Sequence, residues 1–269
     1  MVKPPTPPPS PAPEGQLAHG DALALAESLA PGSVDLVYLD PPFFTGRTLK
    51  GRGVAAFADR WDGDIDAYLG WLEPLLAALR TSLKPTGSIY VHLDWHAVHY
   101  AKVLMDRLFG YEQFLNEVIW LYGLGGSSNR RWPRKHDNLL WYAREEGRHW
   151  FEPARVPATS RRMQGQTKKA PDWWDIPALN NMARERTGYP TQKPVALLDR
   201  VVRSSCPPRG LVVDPCCGSG TTAVAAHAAG RSFIVGDRKA EAVEVTRERL
   251  TSLEIPFAET LHGERAELA

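Results

Sequence analysis

Cysteine is scarce in this sequence, and its positive and negative charges nearly cancel. Three cysteines in 269 residues, with Cys216 and Cys217 adjacent, provide neither a disulfide framework nor the spacing of a metal site. A formal net charge of +1 means that any contact with nucleic acid must come from local basic segments. The sequence also lacks a signal peptide and an apolar run long enough to span a membrane. We therefore expect a cytoplasmic protein with no membrane contact.

Proline is abundant but concentrated near the start of the chain. Residues 1–15 combine many prolines with few apolar side chains, which predicts a disordered arm outside the fold. Over the whole chain 43% of the residues are hydrophobic, which is enough for a large core. Strand patterns alternate with helical ones, as in doubly wound α/β folds with a mostly parallel, twisted sheet and helices on both faces.

A carboxylate follows the first strong strand pattern. After the apolar run 34–39, Asp40-Pro41-Pro42-Phe43 ends the strand abruptly. The two prolines fix the turn and remove two backbone donors, which leaves carbonyl acceptors, one carboxylate and an aromatic face. Such a set suits a planar ring that carries an exocyclic amine. Taken alone, the pattern is equally compatible with an ordinary turn.

A second strand pattern, residues 211–214, leads into a glycine-rich turn. The turn, residues 215–222, is followed by a helical run at 223–229, and this geometry lets a backbone approach a ligand at a helix N-terminus. The next strand pattern, 231–237, ends in Asp237. The sequence spacing between the glycines and Asp237 is typical of nucleotide-binding folds, which present a carboxylate at this point to ribose hydroxyls.

Together these stretches resemble the DNA amino methyltransferases, which transfer a methyl group from S-adenosylmethionine to adenine N6 or cytosine N4. The catalytic pattern of that family, Asp/Asn/Ser-Pro-Pro-Tyr/Phe/Trp, is matched at residues 40–43. Its cofactor pattern, Asp-Pro-Phe-x-Gly-Ser-Gly-Thr, is matched at 214–221 with Cys216 in place of Phe, and its Tyr-Pro-Thr-Gln-Lys-Pro at 189–194. The catalytic motif comes first, which is the circularly permuted order of the β class. The resemblance spans residues 16–253.

The resemblance implies a Rossmann-like methyltransferase fold and a role for each matched residue. The catalytic residues would be Asp40, Pro41, Pro42 and Phe43. The cofactor-binding residues would be Asp21, Asp40, Lys193, Asp214, Cys216, Gly218, Ser219, Gly220, Thr221 and Asp237. Asp21 fits a helix cap equally well, and residues 191–193 could simply cap the next helix. We expect Cys216 to be a small packing residue and not a nucleophile.

Two basic segments are candidates for contact with double-stranded DNA. Arg and Gln suit base edges, whereas Lys mostly meets phosphate, and a solvated surface is the alternative for both segments. The residues are Arg130, Arg131, Arg134 and Lys135 in the first segment, and Arg161, Arg162, Lys168 and Lys169 in the second. A mobile loop is expected at 45–60. His92, Asp94, His96 and His99 share faces, but nothing completes a zinc pattern, so we expect no metal.

The expected organisation is an arm (1–15), a catalytic half (16–146), a target-recognition insert (147–186), a cofactor-binding half (187–255) and a C-terminal tail (256–269). The expected function is site-specific methylation of a flipped base in double-stranded DNA, at adenine N6 because Asp40 stands first in its motif. The alternatives are cytosine N4, an RNA or protein amine, and an inactive DNA-binding relative. A homodimer, and a separate endonuclease in a restriction-modification pair, are expectations from the resemblance alone.

Overall fold

The computed structural model describes residues 14–46, 48–51, 54–58, 61, 63–123, 127–180 and 182–262. The strands are β1 (Gly15–His19), β2 (Val34–Leu39), β3 (Thr48–Gly51), β4 (Val54–Ala58), β5 (Leu83–Leu93), β6 (Phe114–Leu121), β7 (His136–Ala143), β8 (Arg155–Pro157), β9 (Thr167–Lys169), β10 (Trp173–Asp175), β11 (Leu211–Asp214), β12 (Ser232–Asp237) and β13 (Ala258–Leu261). The α-helices are α1 (Ala22–Ser28), α2 (Ile65–Ser82), α3 (Val98–Phe109), α4 (Val195–Ser205), α5 (Thr221–Ala228) and α6 (Ala240–Ser252).

Nine strands form one sheet in the order β10-β6-β7-β5-β2-β11-β12-β1-β13. Only β7 runs antiparallel to its neighbours, β5 and β6, and the other described pairs in this sheet are parallel. The expected mostly parallel α/β sheet is therefore confirmed.

Helices cover both faces of the sheet, which explains why β2 is apolar apart from Asp35, whose carboxylate is paired with Lys84. Val37 faces a core built with α1, α2 and α3, whereas Tyr38 faces a core built with α4, α5 and α6. All six residues of β2 are buried. None of the helices in the described ranges combines the length and apolar character that a membrane crossing requires.

Carboxylates gather at one edge of the sheet. Since β1, β2, β5, β11 and β12 are parallel, their carboxyl ends meet there, and the antiparallel β7 begins there. In α/β sheets ligands bind at this edge. The acids that the topology places along it are Asp21, Asp40, Asp94, Asp137, Asp214 and Asp237.

Several segments that were expected to be irregular contain short strands. In 45–60 the described residues form the hairpin β3–β4, and in the insert 147–186 β8 pairs with β9 while β10 joins the main sheet beside β6. Within the expected C-terminal tail, β13 pairs with β1. The proposed arm lies outside the described residues apart from its last two, and β1 already begins at Gly15.

Candidate active site

Lys193 holds the carboxylate of Asp40. The Nζ atom of Lys193 lies 2.9 Å from Oδ1 and 2.6 Å from Oδ2 of Asp40. Both side chains are largely buried, with 11% and 17% of their surfaces exposed, so the two charges interact through little water. The hydroxyl of Thr221, at the start of α5, donates a hydrogen bond to the Lys193 carbonyl at 3.1 Å. The turn formed by residues 40–43, called the catalytic turn after its expected role, is thus joined through Lys193 to the glycine turn.

The aromatic ring of the catalytic turn lies beside the same lysine. The centroid of the Phe43 ring is 5.0 Å from Lys193 Nζ and 5.7 Å from the centroid of His92. The hydroxyl of Tyr68 on α2 donates to the carbonyl of Pro42 at 2.9 Å. This bond fixes the turn to the helix layer, so the carboxylate and the ring come from one rigid element.

His92, which is fully buried under the catalytic turn, contacts three polar groups. Its Nδ1 lies 2.6 Å from the Tyr38 hydroxyl and 3.9 Å from Asp40 Oδ1, and its Nε2 lies 3.2 Å from Asp137 Oδ2. Burial opposes ionisation of Asp137, but the hydrogen bond from His92 and the charge of Lys193 outweigh it and lower the pKa of that carboxyl. Sequence reasoning weighed a metal ligand against a solvated or core histidine at this position and missed this network.

The other residues considered for a metal are engaged elsewhere. His96 Nδ1 lies 2.7 Å from Asp94 Oδ2, and His99 is exposed on α3. Within the described ranges, no group of His, Cys, Asp or Glu side chains is arranged to hold a metal ion.

The glycine turn needs its glycines. Gly218 and Gly220 have φ angles of +53° and +72°, a region that other residues rarely adopt. A Cβ on Gly218 would lie 3.0 Å from the ring of Tyr189, and one on Gly220 would lie 2.6 Å from Thr246 Cγ2. The Gly218 N–H donates to Asp237 Oδ2 at 3.0 Å. Both glycines are therefore required by the conformation and packing of the turn, and Asp237 fixes its backbone.

Cys216 sits among four carboxylates. Burial raises the pKa of its thiol well above the ordinary value, and the charges of Asp237, Asp214, Asp40 and Asp21 raise it further. A thiol kept protonated in this way is a poor nucleophile, in agreement with the packing role expected for it.

The buried carboxyl groups of Asp214 and Asp237 organise the turn. Burial raises the pKa of Asp214 to about 7, although the Thr222 hydroxyl and the Cys216 N–H, 3.1 Å from Oδ1, donate to it. Burial likewise raises the pKa of Asp237, against the hydrogen bonds that it accepts from the backbone. Asp214 is only 2% exposed, so its contribution to a ligand site would be to hold the turn.

Asp21 caps α1. Its Oδ1 accepts the backbone N–H groups of Leu23 and Ala24 at 3.0 and 3.1 Å. The helix cap, one of the two roles expected for Asp21, is thus observed. The negative charge of Asp21 also raises the pKa of Cys216 at the glycine turn. Capping and a place beside the ligand site are compatible.

Gln192 closes the loop before α4. Its amide oxygen accepts from the N–H and hydroxyl of Thr187, at 2.8 and 2.9 Å, and its amide nitrogen donates to the carbonyl of Glu185. The Glu185 carboxylate accepts the Val195 N–H at the start of α4. Sequence reasoning missed Glu185, because nothing in its local pattern marks it.

Arg249, also missed, links α6 to the same loop. This buried side chain donates to the Ser219 carbonyl and to the Thr221 hydroxyl, both at 3.0 Å, and lies 3.6 Å from the Glu185 carboxylate. The Ser219 carbonyl and the Thr221 hydroxyl are therefore occupied by internal partners.

These residues fit S-adenosylmethionine chemically. The carboxylates of Asp21 and Asp237, after β1 and at the end of β12, suit an ammonium group and ribose hydroxyls, and the glycines allow the positive φ angles of the turn between them. Lys193 would supply a cation for the cofactor's carboxylate, and the Tyr189 ring and Cys216 would supply apolar walls.

The first basic segment lies beside the catalytic turn. A cavity of about 320 Å³ is lined by Thr45, two residues beyond Phe43, and by Asp94, Arg131 and Trp132. The side chains of Arg130, Arg131 and Trp132 are exposed. The guanidinium of Arg134 stacks 3.5 Å from the centroid of Trp95, and Lys135 donates to the Gly123 carbonyl.

The second basic segment forms the hairpin β8–β9. Arg162 and Lys169 are exposed, and Lys168 Nζ lies 3.3 Å from the Thr159 hydroxyl. The side chain of Arg161 lies outside the described part of the structure.

Comparison with known proteins shows the family to which the chain belongs. The model of a family described as DNA methylase, of the N6/N4 type, matches residues 34–248. The type II methyltransferase M.ScaI of Streptomyces caespitosus is 27% identical over 240 residues, which cover 81% of this chain and 75% of the relative. The DNA adenine methyltransferase YhdJ of Escherichia coli (strain K12) is 26% identical over 250 residues, 87% and 82% of the two chains.

Among solved structures, the complex of M1.HpyAVI with S-adenosylmethionine has the same fold. The TM-score is 0.59 at 22% identity, and the match covers 88% of this chain and 98% of the other. Since the family match extends over most of the chain, the chain belongs to the DNA methylase family and is an S-adenosylmethionine-dependent N6/N4 DNA methyltransferase.

Proposed function

We propose that this enzyme methylates adenine N6 in double-stranded DNA at a specific sequence. The observation that carries the proposal is the carboxylate of Asp40, fixed by Lys193 at the sheet edge beside the Phe43 ring. Asp at the first motif position resembles the adenine members, and the relative YhdJ is named an adenine methyltransferase. Cytosine N4 is the alternative, since its amine has the same hydrogen-bonding groups.

The target base must leave the duplex, because its amine cannot reach a bound methyl donor within the stack. Extrusion costs roughly a few kcal/mol. In our proposal the Phe43 ring offsets part of this cost by stacking on the base. The Tyr68 hydroxyl lies 2.9 Å from the Pro42 carbonyl and fixes the turn, which keeps the Phe43 ring in place.

Asp40 and the carbonyl of Pro41 would accept the amine hydrogens and so orient the nitrogen lone pair. S-adenosylmethionine supplies a methyl group bound to a sulfonium sulfur, and the methyl group would pass directly to the amine. No covalent enzyme intermediate is needed. As the amine nitrogen becomes cationic, the fixed carboxylate of Asp40 stabilises it. Positioning by Asp40, Pro41, Pro42 and Phe43 provides most of the remaining acceleration.

The cofactor site that we propose lies between the glycine turn and Lys193. Asp237 would accept ribose hydroxyls, and Lys193 would meet the methionine carboxylate once the base engages Asp40. Asp214 and Thr221 would hold the turn in shape. The full proposed set is Asp21, Asp40, Lys193, Asp214, Cys216, Gly218, Ser219, Gly220, Thr221 and Asp237.

DNA contact is proposed for both basic segments, with residues 147–186 as the target-recognition insert. Exposed cations beside the catalytic turn suit phosphates that flank an extruded base. The proposed residues are Arg130, Arg131, Arg134, Lys135, Arg161, Arg162, Lys168 and Lys169. The proposal also includes a cytoplasmic homodimer with a separate restriction endonuclease, which rests on the resemblance.

The proposal is tested by incubating the protein with methyl-labelled S-adenosylmethionine and mixed-sequence duplex DNA. The DNA is then digested to nucleosides and analysed by mass spectrometry. We expect labelled N6-methyladenine. N4-methylcytosine would retain the mechanism and overturn the choice of base, whereas label in neither, with cofactor bound, would contradict DNA as the substrate.

A further inference from the structure

His92 is placed to do more than pack. Its side chain is 0% exposed, yet both ring nitrogens face polar groups from two other strands, β2 and β7. The imidazole lies between two carboxylates, with Asp137 Oδ2 at 3.2 Å on one side and Asp40 Oδ1 at 3.9 Å on the other. Both ring nitrogens therefore have a hydrogen-bond partner, and Asp40 is a second carboxylate on the Nδ1 side.

The hydrogen bonds define which nitrogen carries the proton. The Asp137 carboxylate can only accept, so Nε2 of His92 donates to it. Burial, reinforced by the charge of Asp40, raises the pKa of the Tyr38 hydroxyl, which stays protonated and donates to Nδ1 at 2.6 Å. Nδ1 is therefore the basic nitrogen, and it is the one that faces Asp40.

We propose that His92 receives the proton released from the target amine, through Asp40, while Asp137 stabilises the resulting imidazolium. The inference rests on the proposed function of Asp40. The amine nitrogen forms a bond to the methyl carbon as the bond from that carbon to sulfur breaks, and the sulfur keeps the electron pair. One amine proton then moves to Asp40 and on to Nδ1 of His92, while the Tyr38 hydroxyl that donated to this nitrogen rotates away. The transfer restores the Asp40 carboxylate and its ion pair with Lys193.

The gap of 3.9 Å between Nδ1 and Oδ1 is longer than a hydrogen bond and closes when the base engages the carboxylate. Catalytic hydrogen bonds often tighten in this way on substrate binding. The relay is buried against Phe43 and Trp120, whose rings lie 5.7 and 5.5 Å from the His92 ring, so bulk water does not compete for the proton.

The first test is His92→Gln, because glutamine can still donate to Asp137 but cannot take up a proton. In single-turnover assays we expect methyl transfer to slow by about tenfold to a hundredfold, the low end of general acid–base effects. Dissociation constants for S-adenosylmethionine and DNA should stay at the wild-type values. The matched control is His99→Gln, at an exposed position on α3, which should keep the wild-type rate.

A second variant, Asp137→Asn, distinguishes a relay from a structural role. If the two residues act as a unit, the double variant should be about as slow as either single variant. The charged or titratable groups that face His92 are Tyr38, Asp40 and Asp137, with Lys193 and Tyr122 behind them.

Three results would overturn the relay: an unchanged rate in His92→Gln, losses that add fully in the double variant, or a slower rate matched by weaker cofactor binding. If His92→Gln does not fold, an unchanged rate in Asp137→Asn overturns the relay by itself. A wild-type protein that methylates no DNA would refute the proposed function, and the relay with it.

Discussion

Lys193 Nζ lies within 2.9 Å of both carboxylate oxygens of Asp40, although 153 residues separate the two in the chain. The pair joins the catalytic turn after β2 to the loop before α4. The same lysine touches the glycine turn through the hydroxyl of Thr221. Each half of the site is therefore held in place by the other.

The first prediction concerns this pair. Lys193→Met should leave the Asp40 carboxylate without its counter-ion and lower the free energy of unfolding by roughly 1–3 kcal/mol. The single-turnover rate of methyl transfer should fall by more than the decrease in the fraction of folded protein accounts for. Denaturant unfolding and single-turnover transfer measure the two effects.

Lys84→Met is the control for that prediction. Lys84 lies 2.7 Å from Asp35, and this pair is away from the edge of the sheet that carries Asp40. We expect it to cost some stability and leave transfer unchanged. Equal losses of transfer in both lysine variants would show that the effect of Lys193 is merely structural.

The second prediction concerns the glycine turn. Gly218→Ala adds a Cβ at a φ of +53° and 3.0 Å from the Tyr189 ring, so the turn must shift. We expect S-adenosylmethionine to bind at least about tenfold more weakly, which corresponds to roughly 1.4 kcal/mol. Gly32→Ala is matched, since its φ is +65° but no atom lies within 4 Å of the added Cβ. Calorimetry that gave equal affinities for the two variants would contradict the prediction.

The third prediction concerns pH. Folding raises the pKa of Asp214 from 3.8 to about 7, so the folded state binds this proton more tightly than the unfolded state. Its contribution to stability is complete below the unfolded pKa and is lost as pH rises through about 7. Since each pKa unit is worth about 1.4 kcal/mol, the loss is of the order of a few kcal/mol.

Asp214→Asn should remove that dependence. Between pH 5 and 8 the free energy of unfolding should fall less steeply in the variant than in the wild type. The two decreases should differ by an amount of the order of a few kcal/mol. Asp66→Asn, at an exposed position in the first turn of α2, should follow the wild-type curve. Parallel curves for Asp214→Asn and the wild type would refute the assignment.

The fourth prediction concerns DNA. Replacing Arg162, Lys168 and Lys169 with Ala should weaken binding and lower the salt slope by about 0.9 for each phosphate that the protein no longer neutralises. Arg107→Ala is the control, because that exposed cation ends α3 at the opposite edge of the sheet. A salt slope that did not change in the triple variant would leave the hairpin as ordinary surface.

Sequence patterns predicted the parts of the site that are local. The turns at Asp40 and Gly218 are each marked by adjacent residues, and the parallel topology then brings them to one edge. The bond of Lys193 to Asp40 and the network around His92 were not predicted, because each joins residues far apart in the chain. No periodic signal reports which side chains will meet.

The short strands were missed for a different reason. β8 and β9 have three residues each, too few for an alternating pattern to be recognised. β13 has four, and three of them are exposed, so it lacks the apolar character of an inner strand. Pairing with a neighbour, and not the local sequence, makes these segments strands.

The most direct test of the account is single-turnover methyl transfer by Asp40→Ala, with S-adenosylmethionine binding measured on the same preparation. Because the backbone and side chains of the glycine turn donate hydrogen bonds to Asp214 and Asp237 and not to Asp40, we predict that cofactor binding largely survives while transfer falls by at least about a thousandfold. Transfer at close to the wild-type rate, with the cofactor bound, would contradict the assignment of Asp40 on which the mechanism depends.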